Sequence, residues 1–247
     1  ALQDSVEVRK SDDYGYISYY QEPGTVLAII KENGDLYTWG DNICYQLGKG
    51  YYEAEQETYE PYFVMSDVVK AATNDHACAA VTENGDLYFW GYNLAHPYGT
   101  GEGGAALYAE PTVILTGVKD VELGGNSVMA LKNDGSVWMM GTTLWGVMGR
   151  DDGQNAHLVN EMTKVMDGCA DIAVGYNFAM AVKNDGTLYG WGSNACTVLG
   201  VEYDDMLYTS TPIVIATNVK SVDAGHLNAY FIKNDGSLWS IGDGQNG

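Results

Sequence analysis

A glycine motif that recurs at nearly constant spacing constrains the fold of this chain more than any other feature. In the fourth copy, KNDGTLYGWG over residues 183–192, a second glycine follows the turn glycine six residues later. Successive turn glycines lie 50 or 51 residues apart. The turn glycines are Gly34, Gly85, Gly135, Gly186 and Gly236, and the second glycines are Gly40, Gly91, Gly141, Gly192 and Gly242. A period of this length indicates a protein built from repeated supersecondary units.

Each copy has the pattern of a β-hairpin. In the fourth, the runs FAMAVK and TLYGW flank Asn184-Asp185-Gly186, a three-residue turn whose last position favours glycine. A strand-like run precedes each hairpin, and another follows it. No segment shows the 3.6-residue period of a helix. The chain is therefore predicted to be an all-β β-propeller with four-stranded blades of about 50 residues. The alternative is a β-solenoid, although its coils are normally shorter.

A tryptophan precedes the second glycine in three copies, at Trp39, Trp90 and Trp191. Because a large aromatic side chain buries much apolar area, we expect these residues to pack one blade against the next. A single sheet leaves its apolar faces open, and stacking the copies buries them. This packing explains why the motif is repeated.

Five copies fit into the 247 residues, which we expect to form a single domain over residues 1–247. The five repeats form either a closed five-blade ring with one copy split between the chain ends, or part of a seven-bladed propeller. In the closed ring, the segment SVEV at 5–8 supplies the outer strand that the last copy lacks. Such pairing removes an open sheet edge.

The repeat resembles the regulator of chromosome condensation repeat family. The residues that carry the resemblance are clearest in the last two copies: Gly186, Trp191-Gly192, Asn194, Leu199-Gly200, Pro212, Val214 and Gly225-His226. The resemblance implies a propeller, usually of seven blades, that recognises proteins by loops on one face. Members act as nucleotide-exchange factors for small GTPases, as chromatin readers or as inhibitors of bacterial enzymes. This chain departs from the pattern at Met140 and Ile241, which replace the tryptophan.

The charge of the chain limits its partners. Lys and Arg number 12 against 33 Asp and Glu, a formal net charge of -21. A chain this acidic is repelled by nucleic-acid phosphates and by anionic membrane surfaces, and no apolar run approaches the roughly 20 residues that span a bilayer. We therefore expect neither nucleic-acid binding nor membrane insertion. The same charge disfavours a chromatin role and favours a protein partner with a basic face. We expect a soluble chain, and its start without Met fits either removal of a leader or a trimmed sequence.

The sequence motifs that could indicate catalysis, cofactor binding or metal binding are weak. GTGEGG at 99–104 matches a dinucleotide fingerprint, but no helix is predicted to follow it. RDDGQN at 150–155 lacks the alternating acidic ligands of a calcium loop. The histidines (His76, His96, His157, His226) and the cysteines (Cys44, Cys78, Cys169, Cys196) lack metal-ligand spacing. We therefore expect no cofactor, no metal, no catalytic residue and free thiols.

Loops that combine tyrosines with carboxylates are the candidate partner-binding segments. Tyrosine offers a large contact area at low entropic cost. The candidate residues are Tyr51, Tyr52, Tyr59, Tyr203 and Tyr208. We expect a non-catalytic protein–protein interaction module. The alternatives are a carbohydrate-binding or carbohydrate-cleaving propeller, and a structural repeat array of a larger surface protein.

Overall fold

The computed structural model describes residues 5–10, 26–51, 58–93, 106–150, 158–202 and 205–243, which contain β-strands and two short 3₁₀ turns but no α-helix. The 3₁₀ turns are Leu144–Gly146 and Ala195–Thr197. The strands are β1 (Ser5–Lys10), β2 (Val26–Lys31), β3 (Leu36–Gly40), β4 (Thr58–Met65), β5 (Val68–Thr73), β6 (Ala77–Thr82), β7 (Leu87–Asn93), β8 (Ala106–Leu115), β9 (Val118–Leu123), β10 (Ser127–Lys132), β11 (Val137–Thr142), β12 (Leu158–Met166), β13 (Cys169–Val174), β14 (Phe178–Lys183), β15 (Leu188–Ser193), β16 (Tyr208–Ala216), β17 (Val219–Ala224), β18 (Asn228–Lys233) and β19 (Leu238–Gly242).

These strands form five antiparallel sheets, one for each copy of the motif. The strand orders are β1-β2-β3-β4, β5-β6-β7-β8, β12-β11-β10-β9, β13-β14-β15-β16 and β17-β18-β19. Four sheets therefore have four strands, as the sequence predicts, and the described part of the fifth has three. Each sheet is a meander of consecutive strands.

The role predicted for residues 5–8 is wrong. β1 pairs with β2, with Val8 opposite Ile29, and is the first strand of the first sheet. The prediction placed this segment by the needs of ring closure. In the structure it pairs with the next strand along the chain, as consecutive strands usually do.

Glycine is required at both positions of the motif, for two different reasons. Gly186 closes the hairpin turn at a φ of 82°, and its N–H donates to the carbonyl of Lys183 at 2.9 Å. Gly192 lies where β15 passes close to the loop before β14, and a Cβ there would stand 2.5 Å from the Asn177 carbonyl oxygen. The first glycine provides a left-handed backbone, and the second allows two backbones to approach closely.

The described residues divide into two compact units. The first holds the described residues up to Asn93 together with residues 106–123, and the second begins at Gly124. The core of the first unit packs apolar side chains of its first sheet against those of the next: Val26, Ala28, Ile30, Leu36, Leu47, Val68, Ala71, Cys78, Ala80 and Trp90. The second unit has two such layers, one around Trp191 and Met139 and one around Phe178 and Leu188. The single-domain assignment stays a prediction.

Candidate functional site

Segments follow the third strand of the first, third and fourth sheets, and their described parts have a common internal structure. In the fourth repeat, the buried Asn194 accepts a hydrogen bond from the Leu199 N–H at 3.0 Å. Its amide nitrogen donates to the carbonyls of Val201, at 2.9 Å, and Met206, at 2.8 Å. One side chain therefore ties both ends of the loop together, because it satisfies three backbone groups.

The first repeat uses the same device in the first unit. Asn42 is buried, accepts from the Leu47 N–H at 3.0 Å and donates to the Tyr51 carbonyl at 3.1 Å. Tyr51 itself is exposed. This candidate residue is therefore fixed to the loop through its backbone while its side chain faces solvent.

Tryptophans join these loops to the next repeat within each unit. Trp191 donates its indole N–H to the Val147 carbonyl at 2.8 Å, and Trp90 donates to the Gln46 carbonyl at 2.8 Å. Both indoles are fully buried. The predicted packing of one blade against the next is confirmed for Trp90 and Trp191, whereas Trp39 is half-buried.

The loops also contain non-glycine residues with left-handed backbones. Tyr45 has a φ of 63° and Thr197 a φ of 59°, and each lies three residues after the loop asparagine of its repeat, Asn42 or Asn194. The third repeat has Gly146 there, and a Cβ at that position would lie 2.8 Å from the Ser210 Cα. A left-handed conformation costs an L-residue about 1–2 kcal/mol, so the contacts around Tyr45 and Thr197 must offset that cost.

One exposed aromatic pair of the second unit lies beside these loops. Trp145, whose φ is 58°, directly precedes Gly146, and its ring meets that of Tyr208 edge to face with centroids 6.2 Å apart. Trp145, Leu207 and Tyr208 are between 41% and 50% exposed, and we call them the Trp145 patch. The carbonyl of Leu207 accepts the Asn194 N–H at 2.9 Å, so the loop anchor also fixes this patch.

The five candidate tyrosines lie in different parts of the chain, and not all of them are described. Tyr208 belongs to the Trp145 patch, and Tyr51 is exposed in the other unit. Tyr59 lies on β4, but its side chain is not among those that the structure describes. Tyr52 and Tyr203 lie outside the described residues. Their binding role stays a prediction.

Trp145 is not among the residues predicted from the sequence. Its exposure follows from the close approach of Gly146 to β16, which depends on tertiary structure. The sequence does carry one signal for it, because a bulky residue next to the loop glycine has little room inside the loop.

The cysteines are free thiols, as predicted from their spacing. Burial, and then the charges of Asp41 and Asp75, raise the pKa of Cys44 to about 12. Burial also raises the pKa of Cys78. Neither thiol is therefore poised as a nucleophile near neutral pH.

Several sequence motifs lie partly or wholly outside the described residues, among them GTGEGG at 99–104, His96 and His157. Of RDDGQN, only Arg150 is described. His226 packs its ring against Tyr176 with centroids 4.4 Å apart. Within the described ranges, no group of three or more His, Cys, Asp or Glu side chains is placed to hold a metal ion. Among those residues there is also no helix that could span a membrane.

Comparison with known proteins agrees with this geometry. The family model of the regulator of chromosome condensation (RCC1) repeat matches residues 169–197, which contain the buried Trp191 and the loop anchor Asn194. The ultraviolet-B receptor UVR8 of Arabidopsis thaliana is 28% identical over 231 residues, which cover 90% of this chain and 51% of the relative. The chain therefore contains a match to the RCC1 repeat and is similar to RCC1-repeat proteins over most of its length. Protein pim1 of Schizosaccharomyces pombe, at 24% identity, is matched over 87% of this chain and 45% of its own length.

Solved structures show the same fold. Yeast RCC1 (Prp20), in a crystal structure with Kap60, has a TM-score of 0.71 at 22% identity, with 88% of this chain and 54% of that chain covered. Human WBSCR16 has a TM-score of 0.73 at 17% identity, with 88% and 59% covered. The chain therefore has the RCC1-type β-propeller fold. It spans about half the length of the curated relatives that it matches.

Proposed function

We propose that this RCC1-repeat chain is a non-catalytic protein-interaction module that binds its partner through the long loops of the propeller. The observation that carries this proposal is the Trp145 patch, in which the exposed Trp145 of the third-repeat loop meets the exposed Tyr208 at the start of β16. Tryptophan and tyrosine provide most of the binding energy in many protein interfaces. A rigid loop loses little entropy when it is bound.

Charge favours a partner with a basic face. The net charge of the chain is -21, and Glu202 and Asp205 are exposed in the loop that leads to Leu207 and Tyr208. A cationic partner is attracted to such a surface, and a guanidinium or ammonium group can rest on the face of Trp145. We expect the association rate to fall as salt concentration rises.

The relatives support the class of function. Yeast RCC1 (Prp20) has been crystallised bound to Kap60, and binding to Gsp1p and histones is described for Prp20p. These are properties of that protein, and they fit protein recognition as the use of this kind of propeller. For the present chain, the proposed contacts are the Trp145 patch together with Tyr51, Tyr52, Tyr59 and Tyr203.

Comparative capture tests the proposal. The wild-type chain, a Trp145→Ala/Tyr208→Ala double variant and a Val214→Ala control are immobilised and exposed to lysate from the source cells. Val214 is a matched control because it is exposed and lies on β16, away from the described loops. We expect a captured protein whose yield falls with the double variant and is unchanged with the control.

Two results would contradict the proposal. One is equal capture of the same proteins by all three chains, each shown to be folded by circular dichroism. The other is direct binding of soluble glycans by a chain that captures no protein, which would favour the carbohydrate-binding alternative.

A further inference from the structure

Lysine side chains cover aromatic rings at several places in the chain. In each case the ammonium nitrogen lies between 4.2 and 5.9 Å from the ring centroid, which is the range of a cation–π contact. In four of the pairs the lysine precedes a hairpin turn and the aromatic residue follows six positions later. The pairs are Lys31 with Tyr37, Lys49 with Tyr62, Lys132 with Trp138, Lys183 with Tyr189, and Lys233 with Trp239.

The rings of Trp145 and Tyr208 have no such cover from the part of the chain that the structure describes. No described lysine or arginine lies over either ring. Glu202 and Asp205 are exposed in the segment that leads to Tyr208, and carboxylates on a surface attract cations. The Trp145 patch therefore combines uncovered aromatic faces with negative charge nearby along the chain.

The two rings of the patch stand almost at a right angle. Their interplanar angle is 79° and their centroids are 6.2 Å apart. One group placed in the angle between the rings can lie within about 6 Å of both ring centres, the range over which a cation is attracted to an aromatic face. We call this space the aromatic corner.

Contacts within the second unit set the positions of both walls of the aromatic corner. Gly146, which follows Trp145, lies so close to β16 that a Cβ would stand 2.8 Å from the Ser210 Cα. Tyr208 begins β16 and pairs with Ser193 on β15. Both walls therefore belong to the folded chain before a ligand arrives, which reduces the entropic cost of binding.

The shape and chemistry of the aromatic corner distinguish between cations. A guanidinium group is planar, so it lies flat on one ring and turns its edge to the other. An unmodified ammonium group has three N–H donors, whereas the only oxygen acceptor on the two side chains is the Tyr208 hydroxyl. A trimethylated ammonium group has no donor to satisfy, is nearly spherical, and presents apolar methyl groups to both rings while it keeps its charge.

We propose that the aromatic corner binds the methylated ammonium group of a lysine side chain in the partner protein. This inference rests on the proposed function, because it takes the Trp145 patch as the partner-binding surface and adds the chemical group that is recognised there. The bound cation completes at Trp145 and Tyr208 the contact that the chain's own lysines make at the covered rings.

NMR titration with peptides tests this proposal on the ¹⁵N-labelled 247-residue chain at fixed ionic strength. Four short capped peptides differ in one side chain only: trimethyllysine, lysine, arginine, or an uncharged analogue in which carbon replaces the quaternary nitrogen. The lysine peptide has the charge without the methyl groups, and the analogue has the shape without the charge. The indole N–H signal of Trp145, identified by its loss in Trp145→Ala, reports binding.

We expect the trimethyllysine peptide to bind at least roughly threefold more tightly than each of the other three. Trp145→Ala and Tyr208→Ala remove one wall each, and either change should abolish this preference. Trp239→Ala is the matched control and should retain it. Trp239 is also half exposed, but its ring is already covered by Lys233, at 4.2 Å from the centroid.

Equal affinity for trimethyllysine and the uncharged analogue, or tighter binding of lysine or arginine, would overturn the proposal. If capture of a protein depends on Trp145 but the four peptides bind equally, the proposed function stands and this inference fails. If trimethyllysine is preferred but no capture depends on Trp145, both fail, because the ligand is then a free methylated ammonium compound.

Discussion

Asn194 shows how much one buried polar side chain can organise. Its carboxamide satisfies one N–H and two carbonyls of the loop that carries Leu207 and leads to Tyr208. Asn42 repeats part of this pattern in the first unit, and the third repeat has Thr143 at that position. A side chain that satisfies several backbone groups at once is difficult to replace.

Asn194→Ala should therefore destabilise the protein. It leaves the Leu199 N–H and the Val201 and Met206 carbonyls without this partner, and we expect the free energy of unfolding to fall by about 3 kcal/mol. Urea denaturation measures the change. The control is Asn184→Ala in an exposed turn, expected to cost less than about 0.5 kcal/mol. Equal effects of the two variants would contradict the role given to Asn194.

At the scale of the structural element, the hairpin turns and the buried tryptophans account for most of the repeat. The motif predicts the hairpins because glycine at the end of the turn is a local requirement, as Gly186 illustrates. It predicts the packing role of Trp90 and Trp191 because their size and position recur. It does not predict β1 as the first strand of the first sheet, because strand pairing depends on chain topology. The motif also does not predict the exposure of Trp145, because that exposure depends on the contact between Gly146 and β16.

Trp191→Phe tests the contact between repeats. Phenylalanine keeps an aromatic ring, but it is smaller than the indole and lacks the N–H donor. The buried Val147 carbonyl then loses its indole partner, and we expect a loss of about 1–3 kcal/mol in the free energy of unfolding. Trp239→Phe is the matched control, because Trp239 is half exposed and its indole donates to the Ser237 hydroxyl instead. Thermal and urea denaturation of both variants would show the difference, and a larger effect at Trp239 would refute it.

The turn carboxylates give the hairpins a pH dependence. The Ser237 hydroxyl, at 2.6 Å, and the Ser237 backbone N–H hold the pKa of Asp235 below its ordinary value. Because the folded-state pKa lies below the unfolded-state one, the contribution of the turn is present above about pH 4 and is lost as the pH falls through the folded-state pKa.

Ser237→Ala should raise the pKa of Asp235 towards its ordinary value, whereas Ser237→Thr should keep it low, because Thr187 stands at this position in the fourth repeat. Carboxyl NMR titration measures both pKa values. An unchanged pKa in Ser237→Ala would show that the hydroxyl does not stabilise the carboxylate.

For the whole molecule, the sequence predicts the fold more fully than the site. The 50-residue period is enough to predict the propeller because every repeat reports the same local constraints. A binding surface is not repeated along the chain in this way. Of the tyrosines chosen from the sequence, only Tyr208 belongs to the Trp145 patch. The acidic charge, a property of the chain as a whole, favours a basic partner without locating its contact.

The most direct test of the central claim is the affinity of the purified captured partner for the wild-type chain and for Trp145→Ala, measured by isothermal titration calorimetry. If the Trp145 patch is the centre of the interface, the dissociation constant should rise at least roughly tenfold, equivalent to about 1.4 kcal/mol or more, while Val214→Ala leaves it unchanged. A dissociation constant unchanged by Trp145→Ala, in a variant as stable as the wild type, would contradict the account and place the interface elsewhere on the molecule.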